Sequence, residues 1–433
     1  MAVKVEPALC GTCSGCVGVC PFGALNLAET RLEVDEGACT ECGLCVPACP
    51  VGALSLQGSV VQPNSGRLRS EYDVVVVGAG PGGSMAAWSA ARDGARVLLL
   101  EKRQEIGSAV RCAEGVGHGP VSRFLAPDPR WISATVTSAA ITIVQDSSQR
   151  EVLRRSGSTG YILERRVFDR AVAEAAANAG AQVITKTPAL GLIREGRQVV
   201  GVTVRHRGQT LHIGAHVVIA ADGVESLVAR WSGLNTALPP HDTMSCAQYL
   251  LAGIDVDPTC CAYFVGEGVA PGGYAWVFPK GEGRANVGLG VQADVSQRPA
   301  LDYLEDFVAA TPHLARGSIV TQIFGVVPVA PPLGRLVSDG LMVVGDAAHQ
   351  VDPLTGGGIT NAMTAGEIAG KVAAQACRHS DASAANLEGY AEQARAVLGR
   401  RLERNYRLKE KYGMAARVSE DFLKVFALAA AGS

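Results

Sequence analysis

Four short runs of unbroken apolar residues recur along the chain: Val74–Val77, Val97–Leu100, Val217–Ala221 and Leu341–Val344. Each is closed by a glycine or an acid. Runs this short, with no polar face, predict strands of a parallel sheet covered on both sides. Between the first two, PGGSMAAWSAAR (Pro81–Arg92) opens on proline and predicts a helix, so Asp73–Leu100 reads strand, helix, strand. A different rhythm appears at Tyr274, Trp276 and Phe278, which alternate and so share one face of a strand ending at Pro279-Lys280. A second strand then carries Gly288-x-Gly290. Gln57–Glu71 is polar and contains Pro, Asn and Gly, which predicts a linker. Arg395–Gly413 scatters Val397, Leu398, Leu402 and Leu408 among charges, as a surface helix does.

Residues 1–57 show neither rhythm and are organised by cysteine instead. Of thirteen cysteines, eight lie in the first 49 residues. CGTCSGCVGVCPFGALNL (Cys10–Leu27) aligns without gaps on CTECGLCVPACPVGALSL (Cys39–Leu56). Each half is C-x2-C-x2-C-x3-C-P followed by a short strand-like Gly-Ala-Leu piece. The run is that of two-cluster bacterial ferredoxins, in which the fourth cysteine ligates the other cluster. This predicts Cys10, Cys13, Cys16 and Cys49 on one 4Fe–4S cluster, and Cys20, Cys39, Cys42 and Cys45 on a second. Zinc is the alternative, but zinc sites take four ligands, commonly as two separated pairs, and fit two such runs poorly. A segment this short builds little core, so the clusters are also expected to hold it together.

Composition adds three limits. With 48% hydrophobic and 18% charged residues, the 433-residue chain can bury a sizeable core in two or three domains. The net charge of −2 gives no case for nucleic acid. No secretory segment and no membrane-spanning run is visible, so a cytoplasmic location and metal-bound rather than disulfide-bonded cysteines are expected. Charge is uneven: the first 57 residues are acidic, and Arg395–Lys411 is basic. The basic segment allows peripheral contact with anionic lipid, a solvated helix being the plainer alternative.

The strand–helix–strand unit carries Gly78-x-Gly80-x-x-Gly83 in its turn and Glu101 at the end of its second strand. Gly78 makes the tight turn, Gly80 lets a pyrophosphate approach the backbone, and Gly83 lets helix pack on strand. The helix N-terminus favours phosphate, and Glu101 suits an adenosine ribose. In this setting the motif predicts a bound dinucleotide.

Two later segments, VVIAADGVESLVAR (Val217–Arg230) and LMVVGDAAHQVDPLTGGGITNAM (Leu341–Met363), resemble the remaining FAD fingerprints of the p-hydroxybenzoate hydroxylase superfamily. That resemblance implies FAD, with contacts from Asp222, from Asp346 to the ribityl chain, and from the helix opening at Gly357-Gly358-Ile359. A helix N-terminus there favours the flavin edge that turns anionic on reduction. It also implies contacts from Gly82, from Arg165 in its R-x-x-F-D setting, and from Ala189 beside the adenine. A helix cap for Asp222 and an ion pair for Arg165 are the structural alternatives; packing is the better reading of His349.

Three further marks resemble the geranylgeranyl reductase family: Y-x-W-x-F-P with its downstream G-x-G (Tyr274–Gly290), the Arg-Cys-x-Glu loop (Arg111–Glu114), and P-L-T-G-G-G-I (Pro353–Ile359). The resemblance covers residues 72 to about 380. It implies an α/β fold, with a Rossmann-like FAD-binding domain (72–135, 160–235, 335–380) and an inserted, mostly antiparallel β substrate domain (136–159, 236–334). The small α+β ferredoxin-like domain precedes them and a helical segment (381–433) follows. It also implies an oxidoreductase acting on CH–CH groups, which saturates C=C bonds of isoprenoid chains in lipids by hydride transfer from reduced FAD. Arg111, Cys112, Ala113 and Gly115 would lie at the flavin, and Tyr274, Trp276 and Phe278 would wall the substrate. An unactivated alkene offers nothing to polarise, so a dry, shaped pocket is what the chemistry needs. Cys112 is either a small buried thiol or a redox or proton-donating group. Cys246, Cys260, Cys261 and Cys377 have no spacing pattern and read as structural.

Hydride transfer takes two electrons, and two clusters hold one each. The expected route therefore runs from an external low-potential donor through the clusters to FAD. The main alternative is an electron relay like the electron-transfer flavoprotein–quinone oxidoreductases. A monooxygenase and a redox sensor suit the fused clusters and the isoprenoid marks less well.

Overall fold

The structure is a computed structural model that describes residues 2–56, 68–145 and 148–411; most of the expected linker and the end of the basic segment lie outside these residues.

In the N-terminal domain β1 (Lys4–Val5) pairs antiparallel with β4 (Leu54–Ser55), and β2 (Leu25–Ala28) pairs antiparallel with β3 (Arg31–Val34). The pairing is reciprocal. Lys4 faces Ser55, and their repeat equivalents Glu33 and Asn26 face each other. The two halves are therefore related by a local two-fold exchange. Backbone conformation repeats as well: Thr12 and Glu41, Ser14 and Gly43, and Gly23 and Gly52 all take positive φ. The buried apolar residues are few, and Cys16 and Cys45 are among them.

All four apolar runs enter one sheet. β5 (Glu71–Val77) lies between β6 (Val97–Leu100) and β13 (Gln209–Ala220), all parallel; β10 (Gln182–Ile184) extends it beyond β6, and β20 (Leu341–Val343) lies along β13. The outer half of β13 turns into an antiparallel ribbon with β12 (Gln198–His206) and β11 (Ala189–Glu195), and β19 (Val337–Ser338) pairs with β20. The Pro81–Arg92 helix packs on the Ile359–His379 helix. Gly366 and Gly370 make that crossing possible, since a Cβ there would fall 2.1 Å from Gly82 O and 2.3 Å from Ala86 O.

The second large sheet has the order β18 (Ser318–Pro328), β14 (Thr243–Ala252), β17 (Arg284–Gln292), β16 (Tyr274–Pro279), β15 (Cys260–Val265), β8 (Ile132–Gln145), β9 (Ser148–Leu163), β7 (Gly115–Gly117). Its neighbours are antiparallel except for β8 and β15. It begins at Ile132 and takes in Gly115–Gly117, so it reaches into the range expected for the FAD-binding domain. The physical reason is the β8–β9 ribbon, which is long enough to run between both bodies. One face of this sheet, with Ala275, Val277 and Leu289, packs on Leu304 and Phe307 of the Ala300–Ala309 helix. The other face looks onto the nucleotide-binding sheet.

The basic C-terminal helix, Arg400–Lys411, is only partly a surface helix. Arg401, Asn405 and Lys409, four residues apart, form an inward face. Asn405 Nδ2 donates to Asp352 Oδ2 at 2.7 Å, and Arg401 donates to Asn361. The buried Lys409 ammonium reaches Asp242 Oδ1 at 2.9 Å and the carbonyls of His241 and Val329. These three side chains brace the Pro353–Gly358 loop and its neighbours. Among the described residues no helix is long and apolar enough to cross a membrane.

Candidate active site

A single cavity of about 570 Å³ runs between the two large sheets. Its nucleotide end is built by the turn after β5. Gly78 sits at φ 106°, and a Cβ there would lie 2.3 Å from Ala221 O; one at Gly83 would lie 1.9 Å from Gly78 O. A Cβ at Gly80 would meet nothing within 4 Å, so this position faces open space, as a pyrophosphate approach requires. Gly82 also lines the cavity while packing against Ala362. The Glu101 carboxylate accepts from Ala79 N at 3.2 Å and Arg103 N at 2.9 Å, which fixes it at the strand end.

Asp222 lines the cavity and also bonds the helix that follows it. Its Oδ2 accepts from Val228 N at 2.9 Å and so caps the Leu227–Trp231 helix. Its Oδ1 is buried with no partner. Burial raises its pKa, against the hydrogen bonds from backbone amides. An unpaired buried carboxylate oxygen is costly and marks a place where a ligand hydroxyl fits. Asp346 lines the cavity beside Gly357, Gly358 and Ile359, and burial raises its pKa against the opposing Arg165 charge. Arg165 is paired in fork geometry with Asp169, Nε–Oδ1 at 2.7 Å and Nη2–Oδ2 at 2.8 Å. It is an ion pair, but a nearly buried one that borders the cavity. Ala189 and Arg111 also line it. His349 lies outside the lining, buried with Nε2 3.3 Å from Thr236 O. The open glycine turn, the unpartnered Asp222 oxygen and the helix opening at Ile359 fit FAD.

The other wall belongs to β16. Tyr274, Trp276 and Phe278 line the cavity, while Ala275 and Val277 face the opposite core. Register explains the downstream glycines: Trp276 lies across from Gly288 and Tyr274 across from Gly290. A Cβ at Gly288 would fall 2.6 Å from Trp276 Cζ2, so the glycine makes room for the indole. Tyr263 on β15 joins them, 5.7 Å from the Tyr274 ring and 5.3 Å from the Phe278 ring, centroid to centroid. The Tyr274 hydroxyl donates to Thr355 O and ties this wall to the glycine loop.

The Arg-Cys-Ala-Glu loop lies between these walls and is held at every residue from Cys112 to Glu114. Gln248 Nε2 donates to Cys112 O at 3.1 Å, and Trp276 Nε1 donates to Gln248 Oε1 at 2.9 Å. Asn286 Nδ2 donates to Ala113 O at 3.1 Å and to Glu114 Oε2 at 2.7 Å. Lys280 Nζ meets Glu114 Oε2 at 2.6 Å and Glu164 Oε2 at 3.0 Å, and Arg165 N donates to Glu114 Oε1 at 2.9 Å. A buried carboxylate with this many donors is fully compensated. Gly115 follows directly, where a Cβ would sit 3.2 Å from Phe278 Cε2. Burial raises the Cys112 pKa, against the pull of Arg165, so the group is a thiol at neutral pH.

The sequence reading did not find Tyr263, Gln248, Asn286 or Lys280. Lys280 and Asn286 flank the Y-x-W-x-F-P and G-x-G marks, and Asn286 lies across from Phe278 in the ladder; Gln248 and Tyr263 carry no local signal. Two of the cysteines without a spacing pattern border the cavity as well. Cys246 and Cys261 line the cavity, and burial pushes each thiol up to about 12.

In the N-terminal domain Cys10, Cys13, Cys16 and Cys49 line one small cavity with Leu27, Leu32 and Leu54. Cys45 lies near Cys20 and Cys39, and also near Cys16; burial is the main cause of its raised pKa, with the neighbouring thiols adding to it. Among the described residues no three His, Cys, Asp or Glu side chains converge as a single metal ion requires. Four thiols around one small cavity suit a 4Fe–4S cluster.

Comparison with known proteins bears on both parts. Residues 242–327 match the geranylgeranyl reductase catalytic domain, 73–266 the FAD dependent oxidoreductase family, and 32–55 the 4Fe–4S binding domain. The chain is 47% identical over 363 residues to the digeranylgeranylglycerophospholipid reductase of Methanocella arvoryzae, covering 83% of this chain and 91% of that protein. To the protein of the same name from Methanosphaerula palustris it is 48% identical over 350 residues, covering 80% and 87%. A crystal structure of a geranylgeranyl bacteriochlorophyll reductase-like protein from Thermoplasma acidophilum superposes with a TM-score of 0.76 at 39% identity, over 84% of this chain and 92% of that one. A flavin-dependent brominase superposes with a TM-score of 0.67 at 17% identity, covering 83% and 94%, which shows a shared fold.

Proposed function

The chain belongs to the geranylgeranyl reductase family, and we propose that it saturates the C=C bonds of geranylgeranyl chains carried by a glycerophospholipid. The carrying observation is the continuity of the cavity: the nucleotide cradle at Gly78–Gly83 opens directly onto a wall of Tyr263, Tyr274, Trp276 and Phe278. FAD, when bound and reduced, supplies the hydride, with electrons drawn through the 4Fe–4S clusters. The chain's own residues do the rest. Gly78, Gly80 and Gly83 leave backbone room for the pyrophosphate, and Glu101 and Ala189 border the adenosine. Asp222, Asp346 and the helix start at Gly357–Ile359 hold the remainder. The aromatic wall excludes water and aligns the chain, which for an unactivated alkene is most of what a protein can add. Cys112, whose Sγ accepts from Glu114 N at 3.2 Å on a loop held by Gln248 and Asn286, lines the cavity and is the proton source of this proposal.

Two clusters are part of the same proposal, one on Cys10, Cys13, Cys16 and Cys49 and one on Cys20, Cys39, Cys42 and Cys45. The reciprocal strand exchange and the cavity lined by the first four support them. The external donor is a low-potential one-electron carrier. The purified chain, reduced anaerobically with dithionite and given digeranylgeranyl glycerophospholipid, is expected to add one H2 per double bond, read by mass spectrometry. Unchanged lipid together with reoxidation by a quinone would make the protein a relay instead.

A further inference from the structure

The N-terminal domain meets the flavin domain through residues of its first cysteine run. The Lys186 ammonium donates to Leu9 O at 3.0 Å and also to Cys10 O. Leu9 is buried, with its Cγ 3.5 Å from where a Cβ would stand on Gly208, at the β12–β13 turn. Gly11 faces Gln104. On the flavin side, Lys186 is anchored by its own amide, which donates to Arg103 O at 2.7 Å. Its neighbours Thr187, Pro188 and Ala189, like Arg103, line the nucleotide end of the cavity. Among the described residues no carboxylate lies within ion-pair distance of Lys186, whose ammonium is held by the Leu9 and Cys10 carbonyls. A half-buried ammonium bonded to neutral carbonyls lacks a counter-charge. A thiolate-ligated cluster at Cys10 supplies one.

We propose that Lys186 is a positioning residue that docks the N-terminal domain, making the Cys10, Cys13, Cys16, Cys49 site the one that passes electrons on to the flavin ring, from the nucleotide end of the cavity. This rests on the cluster and FAD assignments above. Cys39, the repeat equivalent of Cys10, makes no hydrogen bond to the flavin domain among the described residues, so the second site is the one left to the outside donor. Per turnover two electrons cross one at a time and one proton is taken from water, which turns oxidised FAD into its hydride-donating form. A low-potential one-electron donor then refills the clusters. The Lys186 charge also favours the reduced, more negative state of the first cluster, because charge near a cluster sets its potential.

The test uses the full-length holoprotein and no lipid. Stopped-flow absorbance follows cluster and flavin reduction separately with a reduced viologen as donor. In Lys186→Met, cluster reduction keeps its rate and flavin reduction slows at least tenfold; Lys186→Arg restores most of it. The EPR-monitored potential of one cluster moves to more negative values and that of the other stays. Hydrogen exchange at the amides of residues 9–11 speeds up. Leu9→Ser, which loosens the contact from the other side, gives the same split and the same exchange. Cys13→Ser slows flavin reduction far more than Cys42→Ser does. Unchanged flavin reduction and exchange in Lys186→Met, or equal effects of the two cysteine variants, would overturn the assignment. With lipid absent, that failure leaves C=C reduction standing; normal flavin reduction with inert lipid would sink the functional reading instead.

Discussion

The N-terminal domain and the flavin body solve the same problem, holding a redox group, in opposite ways. In the first, candidate ligands are part of a small core: Cys16 and Cys45 are buried with Val3, Leu25 and Leu54. In the second, an extensive aliphatic core forms independently of the site, and cofactor and substrate walls are hung on strand ends above it. The difference teaches where stability and function coincide. In the N-terminal domain they are expected to be inseparable, because a segment of this size buries little apolar surface of its own. In the flavin body most of the core lies away from the cavity, so the sheet does not depend on the bound group for its fold.

Removing the clusters is the largest perturbation that bears on this contrast. Oxidative loss of iron under chelation should unfold residues 2–56 while leaving the flavin body intact. Circular dichroism and calorimetry would then show one surviving transition close to that of the untreated protein. A fall in that second transition would mean the two regions stabilise each other more than their cores suggest.

Next comes Lys280→Met. It strips Glu114 of its ammonium in a buried setting, where breaking one partner of an ion pair costs about 3–5 kcal/mol. Denaturant unfolding followed by flavin fluorescence should register this in the flavin body alone. Gly366→Ala is smaller. Its new methyl would press on Gly82 O at 2.1 Å, and overpacking of this kind costs about 1–3 kcal/mol. The nucleotide-bearing helix should shift with it, so FAD affinity falls along with stability.

Cys112→Ser is the smallest in stability and the most specific in chemistry. Because burial raises the Cys112 pKa, the wild-type rate should hold through neutral pH and fall only on the alkaline side, as the thiol loses its proton. The serine variant should turn over more slowly and lack that limb. A wild-type limb retained in the variant would remove Cys112 from the proton path.

The same contrast decides what could be read from the amino-acid sequence. The cysteine exchange is local and repeated, so a gapless alignment of Cys10–Leu27 on Cys39–Leu56 carries it. The four apolar runs and the period-two aromatics at Tyr274, Trp276 and Phe278 are equally legible, since burial on one or two faces leaves a rhythm. Gln248 and Tyr263 leave none. They reach the cavity through strand pairing between distant segments, and each looks like any half-polar strand residue. The basic C-terminal helix was only half legible for a related reason. Its net charge describes the outward side, whereas Arg401, Asn405 and Lys409 recur every fourth residue and turn inward to Asp352 and Asp242. That spacing was the available signal. The β8–β9 ribbon, which joins both bodies, blurred the domain boundary because no composition change accompanies it.

The central claim is that flavin equivalents end in the lipid. Mixing the anaerobically prereduced protein with digeranylgeranyl glycerophospholipid in a stopped-flow cell, with samples quenched for mass spectrometry, tests it most directly. The account predicts recovery of oxidised-flavin absorbance in step with addition of one H2 to the lipid per flavin reoxidised. A flavin that stays reduced with lipid present, or reoxidises while the lipid mass is unchanged, would contradict it.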